Sequence, residues 1–228
     1  MNLRYLLLIV PGLLAWFAQA RVRNVYEKYG GRRNSQGITG LEAAKQLLTH
    51  HGLSGVTVER AEGHLTDHYD PESNTLHLSD SVANTDSVTA LGIVAHEVAH
   101  AVQDAEGYRL MRARTKMGQG LSAAARWGSF AFIGGMLFDV PILMVVSGVF
   151  LAALTLFALV TLPVERNASD RAMAMLEATN LAADEERRGV RRVLRSAALT
   201  YLANLGNRVA TFLFFAGTVG TALGVWQR

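Results

Sequence analysis

The 228-residue chain contains no cysteine, which excludes a disulfide framework, a thiolate zinc cluster and a cysteine nucleophile. It has no internal repeat and no low-complexity segment. Charge is scarce in one long stretch, because Asp139 is the only charged residue between Arg126 and Glu165. Half of all residues are apolar and the mean hydropathy is positive, which is high for a soluble globular protein. The composition therefore indicates a membrane protein.

Four apolar stretches predict membrane-spanning helices, because about 18–20 apolar residues cross the ~30 Å hydrocarbon layer. They cover residues 3–20, 121–138, 141–163 and 209–226. The second and third meet at Pro141 and predict a helical hairpin over 121–163. A cleaved signal peptide is the alternative for the first stretch, since Ala18 to Ala20 resembles a cleavage site. The basic residues that follow favour an uncleaved span.

Residues 86–106 predict one helix that carries the sequence HExxH. Apolar residues recur there at three- and four-residue steps, while His96, His100 and Gln103 fall on the opposite stripe. Because positions i and i+4 are neighbours on a helix, both imidazoles can bind one Zn²⁺ at the roughly 2.0–2.1 Å of zinc–nitrogen bonds. Glu97 points beside the metal, where a carboxylate can accept a proton from water and donate one to a leaving amine. The motif predicts a zinc hydrolase with Glu97 as its catalytic base.

The hairpin supplies a candidate for the third metal ligand. A chain that crosses the bilayer twice returns to the side it left, so we expect Glu165 on the same side as His96 and His100. A carboxylate from a second helix would complete a His₂Glu site with a fourth position open to water, which is the catalytic rather than the structural zinc pattern. By spacing alone, a charge at the lipid boundary is the alternative role for Glu165.

The polar parts of the chain predict a small α+β catalytic part over 21–120 and helices over 164–205 that carry the third ligand. Alternating apolar residues predict strands at 56–60 and 75–79. The second strand precedes the metal helix closely, and we interpret it as a sheet edge that could hold an extended peptide by backbone hydrogen bonds.

Lysine and arginine are concentrated in two blocks, residues 21–120 and 164–201. The four basic residues outside these blocks lie near the ends of apolar runs: Arg4, Arg126, Arg208 and Arg228. Because basic segments stay in the cytosol, we expect a multi-pass protein with both blocks inside and both termini outside. No aromatic interleaving supports nucleic-acid binding, so the lipid bilayer is the expected partner of the basic residues.

Several strings resemble the YugP-like neutral zinc metallopeptidases of bacterial membranes. They are NSQGITG at 34–40, LTDHYDPESNTLHLSD at 65–80, AHEVAHAVQ at 95–103, LPVERNAS at 162–169 and RRVLRSAALTYLA at 191–203. The resemblance covers nearly the whole chain. It implies an integral protease of the bacterial inner membrane, with a polypeptide substrate, Zn²⁺ held by His96, His100 and Glu165, and Glu97 as the base.

The site is also similar to that of the wider gluzincin group, in which the glutamate ligand is followed four residues later by an aspartate that orients a histidine. Ser169 occupies that position here, and the candidates for the orienting role are Asn167, Ser169 and Asp170. The donor that stabilises the oxyanion is left open among His68, Tyr69 and Tyr108.

The predicted fold is a mainly α membrane protein, with four transmembrane helices and a small α+β zincin-like catalytic part built on the HExxH helix. The predicted function is a zinc-dependent endopeptidase that cuts membrane or membrane-proximal proteins. One alternative is a site-2-type intramembrane protease with Asp139 as third ligand. The other is a membrane scaffold that zinc stabilises without catalysis. Nothing in the sequence bears on the oligomeric state.

Overall fold

Helices make up most of the chain in the computed structural model, which describes residues 6–63, 65–138 and 140–222. In these ranges the elements are α1 (Leu6–Gly30), α2 (Gly40–His50), β1 (Thr57–Ala61), β2 (His68–Asp70), β3 (Thr75–Ser79), α3 (Asp80–Ala83), α4 (Val88–Ala105), α5 (Arg109–Leu137), α6 (Pro141–Ala178) and α7 (Asp184–Ala222). The chain divides into two units. Residues 20–112 and 163–199 form one, which we call the sheet unit, and the remaining described residues form the helical unit.

The sheet unit contains three strands in the order β1, β3, β2. Strand β1 runs parallel to β3, with Thr57 opposite Thr75, and β2 runs antiparallel to it, with Tyr69 opposite Leu76. The predicted strand at 75–79 is therefore present, but its interpretation as a sheet edge is wrong, because β3 has a partner on each side. The edges are β1 and the short strand β2, whose three residues are too few to show an alternating pattern in the sequence.

Helix α4 lies in the core of the sheet unit and carries the HExxH motif. Leu91, Val94 and Val98 are fully buried on it, as the apolar periodicity of the sequence predicts. The side chain of Ser87 caps the helix by accepting a hydrogen bond from the backbone of Ala90 at 3.0 Å. This cap and the burial of the apolar stripe together fix the direction in which the opposite stripe points.

Helix α2 approaches α3 and α4 closely at Gly40. A Cβ atom on this residue would lie 2.2 Å from the carbonyl oxygen of Val82 and 3.3 Å from a methyl group of Val94. The helix begins with a capping box, in which Thr39 and Glu42 bond to each other's backbone N–H groups. A small residue at the start of α2 is therefore what allows this helix to pack against the metal helix.

In the helical unit, α5 and α6 pack against each other as a hairpin at two glycines. A Cβ atom on Gly128 would lie 2.8 Å from Cβ of Phe150, and one on Gly135 would lie 2.8 Å from Cγ of Met144. Contacts this short exclude any larger side chain without a shift of the helices. Glycine thus permits the close helix approach that small residues provide in helical hairpins.

The prediction of four transmembrane helices is wrong. In the described ranges, one helix, Ile142–Ala178, is long and apolar enough to cross a membrane by its length and composition. The segment 121–138 contains Arg126 among weakly apolar glycine, serine and alanine residues. In α1 and α7, the described apolar runs before Arg21 and after Arg208 are shorter than the ~18–20 residues of a span. The outer ends of the first and last predicted spans lie outside the described residues, and the predicted multi-pass topology with both termini outside loses its support.

Candidate metal centre

Two imidazole rings project from one side of α4. His96 and His100 stand one helical turn apart, with ring centroids separated by 4.8 Å and ring planes nearly perpendicular. His100 is 5% exposed, and His96 is partly buried. The i, i+4 spacing thus places two nitrogen donors beside the same space, as the helix periodicity requires.

A carboxylate from α6 meets both rings. Oε2 of Glu165 lies 3.0 Å from Nε2 of His96 and 3.6 Å from Nε2 of His100. Glu165 is 2% exposed, so water does not screen this carboxylate. The ligand atoms of His96, His100 and Glu165 all lie within 4.8 Å of one another, and the three residues form a group that could hold a metal ion.

The chemistry of this donor group fits zinc. Two imidazole nitrogens and one carboxylate oxygen are the protein ligands of one type of catalytic zinc site. Bonds of about 2.0–2.1 Å in a tetrahedron place ligand atoms roughly 3.3 Å apart, close to the two nitrogen–oxygen distances found here. One coordination position would remain open to water.

Gln103 ties the two metal-binding helices together. Its side-chain amide donates hydrogen bonds to the carbonyl oxygen of Val164 at 3.0 Å and to Oδ1 of Asn167 at 2.8 Å. With both donors on that side, its Oε1 faces Nδ1 of His100 at 2.9 Å and can only accept. His100 therefore carries a proton on Nδ1, so Nε2, which faces Glu165, is the nitrogen available to a metal.

The role of Gln103 was not recognised in the sequence, although a signal was available. It follows His100 by three residues on the same stripe of α4, and residues at i and i+3 are neighbours on a helix. Gln103 is fully buried, and a buried amide needs partners. Its contacts with α6 are long-range, so only the fold shows what those partners are.

Glu97 occupies the position between the two histidines in the motif and is partly buried. One oxygen of its carboxylate accepts a hydrogen bond from the backbone N–H of Tyr69 in strand β2 at 3.2 Å. Burial raises the pKa of Glu97 to about 7, and the charge of Glu165 adds to this effect while His96 opposes it. A carboxylate with this pKa can both accept and release a proton near neutral pH.

The predicted orienting residues lie along α6 near His96. Oγ of Ser169 is 3.4 Å from Nδ1 of His96, a long hydrogen bond. Asn167 accepts hydrogen bonds from Gln103 and from Nε of Arg171 at 2.8 Å, so it reaches the metal centre through Gln103. Asp170 is exposed. Asp139, the alternative third ligand, lies outside the described residues.

The phenol of Tyr69, one of the predicted oxyanion donors, is engaged elsewhere. It lies 3.0 Å from Oδ1 of Asn74 and 3.1 Å from Oδ2 of Asp104. Burial and the neighbouring charge of Asp104 raise the pKa of the Tyr69 phenol above its ordinary value. The backbone N–H of Tyr69, rather than its side chain, is what faces Glu97.

The other two predicted donors also have partners in the sheet unit. The ring of His68 stacks on that of His77, with centroids 4.7 Å apart, and its Nδ1 lies 2.8 Å from the carbonyl oxygen of Thr66. Tyr108 is partly buried and packs against the hydrophobic core. Tyr26 of α1 was not considered in the sequence, yet burial together with the charge of Glu97 raises the pKa of its phenol to about 12.

Comparisons with known proteins identify the family of this chain. A family model described as "putative neutral zinc metallopeptidase" matches residues 4–219. The protein named "Putative membrane protease YugP" of Bacillus subtilis (strain 168) is 38% identical over 199 residues, which cover 87% of this chain and 88% of that protein. No solved structure shows a significant match. The resemblance drawn from the sequence motifs is confirmed, and so is zinc as the expected metal: the chain belongs to the neutral zinc metallopeptidase family that this model describes.

Proposed function

We propose that this protein is a membrane-bound endopeptidase that binds zinc through His96, His100 and Glu165 and cuts membrane or membrane-proximal proteins. The observation that carries the proposal is the convergence of these three ligand atoms within 4.8 Å, from two different helices. The family match supports zinc as the metal, and the chemistry of the donor group supports this ligand set.

The catalytic step follows from where the carboxylate of Glu97 lies. When bound, zinc would supply the Lewis acidity that polarises a peptide carbonyl and acidifies water. Glu97 takes the proton of the attacking water as the new C–O bond forms, and it then delivers that proton to the nitrogen of the leaving amine as the peptide C–N bond breaks. The backbone N–H of Tyr69 holds the Glu97 carboxylate in place for this transfer.

A polypeptide substrate is supported by the position of β2. This strand is one edge of the described sheet, and the backbone N–H of Tyr69 in its middle donates to Glu97. An extended chain can add to such an edge through the remaining backbone groups, without a specific side-chain sequence. An edge strand beside the catalytic base therefore favours peptides over small-molecule substrates.

The membrane part of the proposal has two supports. The related Bacillus subtilis protein is named a membrane protease, and α6 contains the apolar run that could cross a bilayer. Val149, Leu156 and Leu159 on this run are exposed, as residues facing lipid are. Because Glu165 follows the apolar run in the same helix, we place the cleaved bonds near the bilayer surface.

Two variants of the full-length protein separate metal binding from catalysis. We expect Glu97→Gln to retain zinc and to lose peptidase activity by about 10²–10⁴-fold, because the proton acceptor is gone. We expect Glu165→Gln to lose both, since an amide is a poor zinc ligand. Zinc content is measured by elemental analysis and activity with a fluorogenic peptide library. Glu177→Gln is the control, because Glu177 is exposed on the same helix and should keep both properties.

Two results would contradict the proposal. Undiminished cleavage by the Glu97→Gln protein would exclude Glu97 as the base, and full zinc content in the Glu165→Gln protein would exclude Glu165 as a ligand. The substrate class is tested separately, by comparing new protein N-termini in membranes that contain the wild-type or the Glu97→Gln protein. New N-termini confined to soluble proteins would overturn the membrane-proximal substrate and leave the peptidase assignment intact.

A further inference from the structure

A groove in the helical unit has a positively charged lining. It lies among α5, α6 and α7 and has a volume of about 540 Å³. Arg114 from α5 and Arg208 from α7 contribute two guanidinium groups, and Asn204 and Asn207 add two side-chain amides. The residues found to line this groove include no acidic side chain. The lining is therefore suited to an anion.

A second wall of the groove is largely apolar and belongs to α6, while Tyr201 and Thr211 of α7 complete the lining. Leu151, Phe157 and Ala158 line this side, and all three belong to the apolar run that could cross a membrane. Neighbouring Leu156 and Leu159 are more than half exposed. A ligand in the groove would thus meet charged and amide groups on one side and hydrocarbon on the other.

The groove also lies where the helices change character. Arg208 is the last charged residue in the described part of α7, and the residues after it are largely apolar. On α6, Phe157 and Thr161 belong to the last turns of the stretch without charge. Arginine side chains at the end of an apolar run extend to the level of lipid headgroups. The charged side of the groove therefore lies beside the end of the apolar run of α6, at the level that a headgroup phosphate would have if this run crosses a bilayer.

We propose that this groove binds an anionic phospholipid, with the phosphate at Arg114 and Arg208 and an acyl chain along Leu151 and Phe157. A guanidinium group binds phosphate oxygens through two parallel hydrogen bonds, which makes arginine an effective phosphate ligand. Basic pockets between helices at the membrane surface bind anionic headgroups in the same way. The apolar wall favours a lipid over free phosphate, since phosphate alone would leave that wall in water. The proposal is independent of the peptidase chemistry.

Binding is measured on the full-length protein in neutral detergent, by native mass spectrometry with three probes. These are dioctanoyl phosphatidylglycerol, dioctanoyl phosphatidylcholine and inorganic phosphate. We expect phosphatidylglycerol to bind at least ten-fold more tightly than the other two. Arg208→Gln should weaken the binding of phosphatidylglycerol about ten-fold, because one charge-assisted contact is lost. Arg126→Gln removes an exposed charge from α5 outside the groove, and it should change binding less than two-fold.

Each contrary result overturns the proposal in a distinct way. Equal affinity for inorganic phosphate would make the groove a site for the free anion, and equal affinity for phosphatidylcholine would remove the role of net charge. If Arg208→Gln and Arg126→Gln reduce the affinity for phosphatidylglycerol equally, the lipid binds outside the groove. If the Arg208→Gln protein does not fold, Asn207→Leu is the second variant, because it keeps both arginines and replaces one amide of the lining. It should also weaken the binding of phosphatidylglycerol. The comparison of the three probes uses the wild-type protein, so it does not depend on any variant.

Discussion

Replacement of Gln103 by leucine tests whether the amide that joins α4 to α6 also sets the affinity for zinc. The change keeps the side-chain volume nearly constant and removes three hydrogen bonds. The Nδ1–H group of His100 would be left unpaired at 5% exposure, which costs about 1–3 kcal/mol. The other two groups keep part of their hydrogen bonding, because Oδ1 of Asn167 retains its bond from Arg171 and the carbonyl of Val164 lies within a helix. The loss of each of these two hydrogen bonds therefore costs about 0.5–1 kcal/mol.

These losses predict that Gln103→Leu lowers the stability of the zinc-free protein by about 2–5 kcal/mol. For a chain of this size the melting temperature should fall by roughly 4–20 °C. The affinity for zinc should fall about 10–100-fold, because His100 loses the partner that fixes its proton on Nδ1. Melting is followed by circular dichroism in detergent, and zinc affinity by competition with a chromophoric chelator.

Gln46→Leu is the matched control, because Gln46 is exposed on α2 and the same chemical change there should alter stability by less than about 0.5 kcal/mol. The reasoning is refuted if the Gln103→Leu protein binds zinc within two-fold of wild type while it melts at a lower temperature. That result would make Gln103 a packing residue without influence on His100.

Three further predictions concern the metal and the packing of α2. Removal of zinc by a chelator should abolish peptidase activity, and added Zn²⁺ should restore it, as activity measured before and after dialysis will show. Gly40→Ala should reduce the free energy of unfolding by about 1–3 kcal/mol and lower the melting temperature, because the new Cβ meets the carbonyl oxygen of Val82. Gly55→Ala is the control, since its Cβ would lie in open space and should change stability by less than about 1 kcal/mol. Thr39→Ala removes the cap of α2 and should reduce the free energy of unfolding, measured by chemical denaturation, by about 1 kcal/mol. An equal reduction in the Thr49→Ala protein, where the change lies on the exposed face of the same helix, would argue against a role of the cap.

The features that the sequence predicted well are those set by local periodicity. The steps of three and four residues that place His96 and His100 together on one stripe of α4 also bury Leu91 and Val94 on the other. Such patterns depend only on helix geometry, so they can be read without the fold. The family motifs and the expectation of zinc follow from the same short strings, and the comparisons bear them out.

The membrane prediction failed because, within the described residues, three of the four stretches are too short or too weakly apolar to cross a bilayer. Residues 209–222 are the end of α7, a helix that begins at Asp184 and carries Arg208 within it. Residues 121–137 belong to α5, which includes Arg126. The apolar run of α6 is also one end of a longer helix, but among the described helices it is the one apolar over enough residues to cross a bilayer.

The sequence alone determined the helix that offers two imidazoles and a carboxylate, because residues a turn apart are neighbours wherever that helix is placed. The sequence also predicted Glu165 as the third ligand, 69 residues after His96, but only through the hairpin and the family resemblance. Tertiary structure decided that the carboxylate of Glu165 meets both rings, that strand β2 holds Glu97, and which groups are the partners of Gln103. These contacts join segments far apart in the chain, so their positions depend on how α4, α6 and the sheet pack. Local spacing sets the kind of chemistry, and packing of the buried core selects the residues that take part in it.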